Sequence, residues 1–137
     1  MPRVRFESTR FGAVEVQDES VIEFPQGLIG LGGARYALIA TDAESPFRWL
    51  QSLDDPDLAL PVTNPFLFFG DYAVELSDTD SARVGTEDPD AVDVWVTVRA
   101  TGEDVSVNLK APIVVHAGVG HQIINEAADF DVRTPLA

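Results

Sequence analysis

The chain has no cysteine among its 137 residues. A disulfide framework, a thiolate metal site and a cysteine nucleophile are therefore excluded, and a reducing compartment fits. Positive charge is scarce: eight arginines and one lysine face 23 acidic residues, for a net charge of −14. Phosphate affinity is built from Lys and Arg, so no direct binding of nucleic acid is expected. Long apolar runs are missing as well. The longest, Ala111 to Gly120, is far short of the ~20 residues a membrane helix needs, and no membrane partner is expected. Met1-Pro2-Arg3-Val4-Arg5 has no apolar run behind it, so a secretory leader is not expected and a cytoplasmic location is. Sustained helical periodicity is also lacking.

What is present is a period of two, the pattern of a strand with one buried face. Val92, Val94, Val96 and Val98 alternate with Asp93, Trp95, Thr97 and Arg99. Val105, Val107 and Leu109 alternate with Asp104, Ser106, Asn108 and Lys110, and Thr101-Gly102-Glu103 lies between the two runs. This reads as a β-hairpin with an apolar and a polar face. Shorter strands are expected near residues 3–7, 13–16, 21–24, 36–40, 47–53, 58–62, 72–76, 112–116 and 122–125. Pro61 places its strand at an edge or a bulge. Polar residues 77–91 allow one short helix near 79–84. About ten short strands in one domain, residues 1–137, predict an all-β fold: a small closed or nearly closed antiparallel barrel.

Tests for catalytic or metal chemistry fail. Gly27-Leu28-Ile29-Gly30-Leu31-Gly32-Gly33 lacks the third glycine of a dinucleotide loop, since Arg35 stands there, and no Gly-Lys-Ser/Thr follows. His116 and His121 are five apart, which matches no zinc motif; a site would need Glu126 or Asp129 as a third ligand. No Gly-x-Ser-x-Gly elbow exists. Asp78 and Asp80 open no calcium loop, because Ala82 and Arg83 stand where a ligand and a glycine belong. No cofactor, metal or enzymatic activity is expected.

Charge and aromatic residues point instead to a protein partner. Residues 71–93 hold eight acids and one arginine, half of the whole imbalance. Beside them, Phe66, Phe68, Phe69 and Tyr72 crowd into seven residues, and adjacent Phe68 and Phe69 cannot share one strand face. Candidate contacts are Asp71, Glu75, Asp78 and Asp80 for a basic surface, with Phe68, Phe69 and Tyr72 as aromatic anchors.

Several segments together resemble a known family. Phe11-Gly12 precedes Ile22-Glu23-Phe24-Pro25-Gln26-Gly27-Leu28-Ile29-Gly30. Pro46-Phe47-Arg48-Trp49-Leu50-Gln51-Ser52-Leu53-Asp54-Asp55-Pro56 and Leu58-Ala59-Leu60-Pro61-Val62 follow. Asn108-Leu109-Lys110-Ala111-Pro112-Ile113-Val114-Val115 and Gln122-Ile123-Ile124 come late. In this order they resemble the FliW family of flagellar assembly factors, from Phe11 to about Pro135.

The resemblance implies a β-barrel without enzymatic activity that binds cytoplasmic flagellin. Freed by flagellin export, it would bind the RNA-binding translational regulator CsrA away from the RNA groove and relieve repression of flagellin translation. A free monomer is expected. The motif positions Phe24, Pro25, Gly27, Leu50, Gln51, Ser52, Asn108, Leu109, Ala111 and Pro112 read as fold determinants before partner contacts. Phe24-Pro25-Gln26-Gly27 is a strand stop. Gln51 or Ser52 suits a bulge with its side chain on backbone, and Asn108 suits a loop cap. Two other classes stay open: a small-ligand or carbohydrate-binding barrel using Trp49, Trp95 and carboxylates, and a structural subunit of a larger assembly.

Overall fold

A computed structural model describes residues 3–25, 28, 34–40, 42, 44–70, 72–75, 77–86, 91–125 and 134–135. Among these the chain runs β1 (Arg3–Ser8), β2 (Gly12–Gln17), β3 (Val21–Glu23), β4 (Arg35–Ile39), β5 (Phe47–Ser52) and β6 (Ala59–Thr63). A 3₁₀ turn (Pro65–Leu67) and helix α1 (Asp78–Val84) lead to β7 (Asp93–Thr101), β8 (Asp104–Val107), β9 (Ile113–His116), β10 (Val119–Gln122) and β11 (Thr134–Pro135).

The expected all-β barrel with one short helix is present, and its seams are specific. Antiparallel ladders join β3 to β4, β5, β6, β7, β9 and β10 in turn. A parallel contact between Val119 and Glu23 closes the ring. Seven strands thus make the barrel, with one parallel seam. β8 pairs with the distal half of β7, and β11 pairs with β8. β1 and β2 form a separate hairpin.

Ile22, Phe24, Leu28, Tyr36, Leu50, Val62, Ile113 and Val115 fill the barrel, with Leu38, Leu58, Leu60 and Trp95 packed on them. Both faces of β7 are covered, which corrects the two-faced hairpin reading. Trp95, from the supposedly polar set, pairs with Ile113 and turns into the barrel. Val94 and Val96 face outward and are buried by Tyr72, Val107 and Leu109. A third cluster, Val84, Val114 and Ile123, lies under α1. Alternation reports burial on one face and says nothing about what covers the other.

Four local expectations change. Residues 72–75 form no strand, because the Asn125 side chain supplies the bonds a neighbouring strand would have made. Its Oδ1 accepts from Glu75 N at 3.0 Å and its Nδ2 donates to the Ala73 carbonyl at 2.8 Å. The last predicted strand moves upstream to Val119–Gln122, entered through a tight turn with Ala117 and Gly118 at φ 52° and 79°. Pro61 stands in a strand paired on both sides; it pairs with Trp49, while the β7 ladder begins only at Val62, so no N–H is missed there. No bulge occurs at Gln51 or Ser52: both pair in unbroken register with β4, and Gln51 also pairs with Ala59 of β6. Gly27 and the glycine run after it lie outside the described residues.

Candidate functional site

The two ends of the barrel differ. At one end β3, β5 and β7 begin and β4, β6 and β9 finish. Here Ile22 and Val115 are the least covered of the fully buried residues that fill the interior, each 8% exposed. With Leu38 and Trp95 they floor an open cleft of ≈340 Å³ whose rim carries Ser20, Asp93 and His116. The exposed carboxylate of Asp93 sits at the start of β7, two residues before Trp95, on the same side of the strand. His116 is tethered: its Nδ1 lies 3.2 Å from the Ala91 carbonyl.

β6 runs out at this same end into the 3₁₀ turn. Asn64 Oδ1 accepts from Phe66 N at 2.9 Å and starts the turn, and Pro65 is buried beneath it. The turn lifts three consecutive apolar side chains into solvent: Phe66 is 47%, Leu67 64% and Phe68 38% exposed. Phe68 stacks on Phe47 with centroids 6.1 Å apart. Exposed apolar groups in sequence make a patch of the kind that marks interaction sites.

The anchors expected from sequence divide. Phe68 belongs to this exposed turn. Phe69 is half-buried against the outer core. Tyr72 is a correction: it is 4% exposed, and its hydroxyl donates to the Leu109 carbonyl at 2.8 Å. Burial outweighs the hydrogen bond from Asn125 and pushes its phenol up to about 12. A side chain so enclosed holds the fold and is closed to a partner. Sequence reasoning passed over Phe66 and Leu67 as anchors; the signal was Asn64-Pro65, a turn starter that breaks strand alternation.

Of the acids, Glu75 and Asp78 are exposed and Asp80 is half-buried; Asp71 lies outside the described residues. Asp78 and Asp80 have a local role as well. Ser77 caps α1 by accepting from Asp80 N at 3.0 Å, and the two acids occupy the first turn, where the helix dipole favours negative charge. Gly85 at φ 92° ends the helix. Glu75, Asp78 and Asp80 therefore lie along one short surface segment.

Histidines 116 and 121 share the outer face of β9 and β10, through the pairs His116–Val119 and Val114–His121. No group of three metal-ligating side chains occurs among the described residues, and Glu126 and Asp129 lie outside them. His121 is buried, and neither ring nitrogen is hydrogen-bonded among the described residues.

Comparison with known proteins gives this geometry a family. The model of the family described as FliW protein matches residues 5–136. The chain belongs to the FliW family. A flagellar assembly factor FliW from Desulfitobacterium hafniense strain Y51 is 38% identical over 97% of this chain and 91% of its own length. One from Thermosipho africanus is 31% identical over 95% and 94%. A crystal structure of the flagellar assembly factor FliW superposes with a TM-score of 0.87 at 25% identity, covering 98% of this chain and 97% of the other.

The residues that carried the FliW resemblance divide: Ile22, Phe47, Arg48 and Val115 stand at the open end, and Phe24, Gln51 and Ser52 lie away from it. Phe24 meets Tyr36 edge-on at 5.3 Å and plugs the opposite end of the barrel with Leu28. Burial pushes the Tyr36 phenol up, with Asp54 and Asp55 adding to it. Leu50 points into the barrel, while Gln51 is fully buried on the outside of β5. Gln51 Oε1 accepts from Ser8 Oγ at 2.8 Å, and its Nε2 donates to the Ser52 and Leu58 carbonyls at 3.0 Å. Ser52 Oγ accepts from the Asp54 and Asp55 amides. The turn so formed places Asp54 to accept from the amides of Ala34 and Arg35 and from the Arg35 guanidinium, and these donors hold its carboxyl below the usual range.

This network also seats the β1–β2 hairpin: Thr9 N donates to the Pro56 carbonyl, and Arg10 lies 4.2 Å over the Trp49 ring. Further out, Arg3 and Arg5 both pair with Glu15 at 3.0 Å and lower its carboxyl pKa. Asn108 caps its own following turn rather than a neighbouring loop, accepting from the Lys110 and Ala111 amides. Leu109, Ala111 and Pro112 are buried; Pro25 is exposed beside the plug.

Proposed function

We propose that this flagellar assembly factor acts without catalysis, by exchanging protein partners in the cytoplasm. It binds flagellin while flagellin is retained. Once flagellin is exported, the freed monomer binds the RNA-binding regulator CsrA away from its RNA groove and relieves repression of flagellin translation. Membership of the FliW family over nearly the whole chain supports the biological role. The observation that carries the physical reading is the exposed Phe66-Leu67-Phe68 turn. Flagellin segments that would otherwise stick together need an apolar surface to hold them. The net charge of −14 supplies the complement to a basic regulator and repels RNA, so charge acts on encounter and specificity more than on affinity.

Calorimetric titration against the CsrA dimer, repeated with flagellin present, tests the exchange. Tight binding that flagellin abolishes is expected. Absence of binding to either protein sinks the reading and leaves the ligand-binding or structural alternatives. Changing Asp71, Asp78 and Asp80 together to Lys is expected to weaken CsrA binding by about tenfold or more. Unchanged affinity in the folded variant removes that segment from the interface.

A further inference from the structure

We infer that the open barrel end is a docking face for a partner segment carrying Lys or Arg beside a branched or aromatic apolar residue. This deepens the partner-binding reading above by naming the surface and the chemistry it selects. The first observation is the cleft itself: Ile22, Leu38, Trp95 and Val115 form its base beneath a mostly polar lining, in a barrel whose other end is plugged by Phe24 and Tyr36. A second cleft of ≈410 Å³ adjoins it across the Ala117–Gly118 turn and carries Asp18 and Glu23.

Charge decides the occupant. The charged side chains lining the two clefts among the described residues are Asp93, Asp18 and Glu23, and no Lys or Arg lines either. Strand position brings Arg48 to the same end, but its guanidinium is turned onto the Ser45 and Phe47 carbonyls. An apolar side chain entering the floor is thus flanked by acids and by no Lys or Arg among the described lining residues, which favours a cation next to it in the partner and disfavours an acidic one. The Phe66-Leu67-Phe68 turn leaves β6 at this same end, so a segment seated in the cleft extends over a further apolar contact.

The test is amide chemical-shift mapping of the full chain. The probes are a short synthetic lysine–leucine peptide and its glutamate–leucine counterpart, with affinities read by fluorescence anisotropy. The lysine peptide is expected to shift the amides of Ile22, Asp93, Trp95 and Gly118 and the Trp95 indole; the glutamate peptide is expected not to bind. Asp93→Lys is expected to weaken binding by about tenfold. Asp104→Lys, the same charge change on the exposed β7–β8 turn, is expected to cost less than about threefold. Shifts concentrated on β1–β2 or α1, or equal losses in the two variants, overturn the inference, since they report diffuse attraction to an acidic protein.

Titrating flagellin and CsrA against both variants separates the two claims. If either binds the wild-type chain and Asp93→Lys leaves that binding intact, the docking face fails and the partner reading stands. If neither binds while the lysine peptide maps to the cleft, the partner reading fails and the docking face stands.

Discussion

Gly120→Ala tests the packing logic of the barrel in one atom. Gly120 faces the interior from β10, and a methyl group there would lie 2.5 Å from Phe24 Cε1, 2.7 Å from Phe24 Cζ and 3.0 Å from Ile22 Cγ2. Carbon atoms pack at about 3.5–4.0 Å, so the Phe24 ring would have to retreat by about 1 Å. It has nowhere to go. Phe24 is 1% exposed and wedged edge-on against Tyr36, and Phe24 N is fixed to the Ala34 carbonyl at 2.7 Å. Overpacking of this kind costs about 1–3 kcal/mol. For a domain of this length that lowers Tm on the order of 5–10 °C.

The assay is urea unfolding of the wild type, Gly120→Ala, Phe24→Leu and the double variant. The single changes each destabilise, the first by crowding and the second by a cavity. The double variant is expected to recover at least about 1 kcal/mol relative to their sum, because the smaller side chain makes room for the methyl group. If Gly120→Ala melts with the wild type, or the two changes simply add, the ring does not occupy the space the glycine leaves.

Three further outcomes follow from buried polar groups. Gln51→Leu is expected to cost about 2–4 kcal/mol in urea unfolding, since the Ser8 hydroxyl loses its acceptor and the Ser52 and Leu58 carbonyls lose a donor. Tyr72 ionises near 12 against an unfolded value near 10, so the stability it contributes is intact below pH 10 and lost as pH rises toward 12. Tyr72→Phe is expected to blunt that alkaline loss in a pH series of thermal melts, while lowering stability at pH 7 by about 1–2 kcal/mol through the orphaned Leu109 carbonyl. His121→Leu is expected to be neutral or stabilising by about 1 kcal/mol, because neither imidazole nitrogen has a partner to lose among the described residues; a loss beyond about 1 kcal/mol would reveal a partner for the ring.

Much of the barrel was legible because its strands are short and locally consistent. Val92 to Leu109 declares a hairpin by alternation alone, and the polar run 77–91 allows the one short helix near 79–84. What alternation could not convey is closure. The parallel seam at Val119–Glu23 joins segments almost a hundred residues apart, and no local signal marks it. The strand mistaken at 72–76 failed for a related reason. A side chain fifty residues downstream, Asn125, satisfies that backbone, and a single sequence carries no trace of such a partnership.

The same distinction separates Gln51, Phe24 and Asn108 from the exposed part of the candidate docking face, although Ile22 and Val115 of the family segments lie in its floor. The residues that made the family recognisable are the ones whose chemistry is over-determined. Gln51 faces several carbonyls at once, Phe24 fills a space sized by a glycine, and Asn108 reaches two amides. Each is constrained by neighbours fixed in the chain, so it leaves a pattern in the sequence. The open end carries fewer such constraints among the described residues: His116 and Arg48 are held by backbone carbonyls, while Asp93, Phe66 and Leu67 face solvent. Asp93 and Trp95 read as ordinary members of a polar face, and the crowded aromatics of residues 66–72 declare no face until the Asn64-Pro65 turn lifts Phe66, Leu67 and Phe68 into solvent. A surface completed by another molecule is under-determined when viewed alone. Apolar side chains left in water at 47% and 64% exposure are the physical form that under-determination takes.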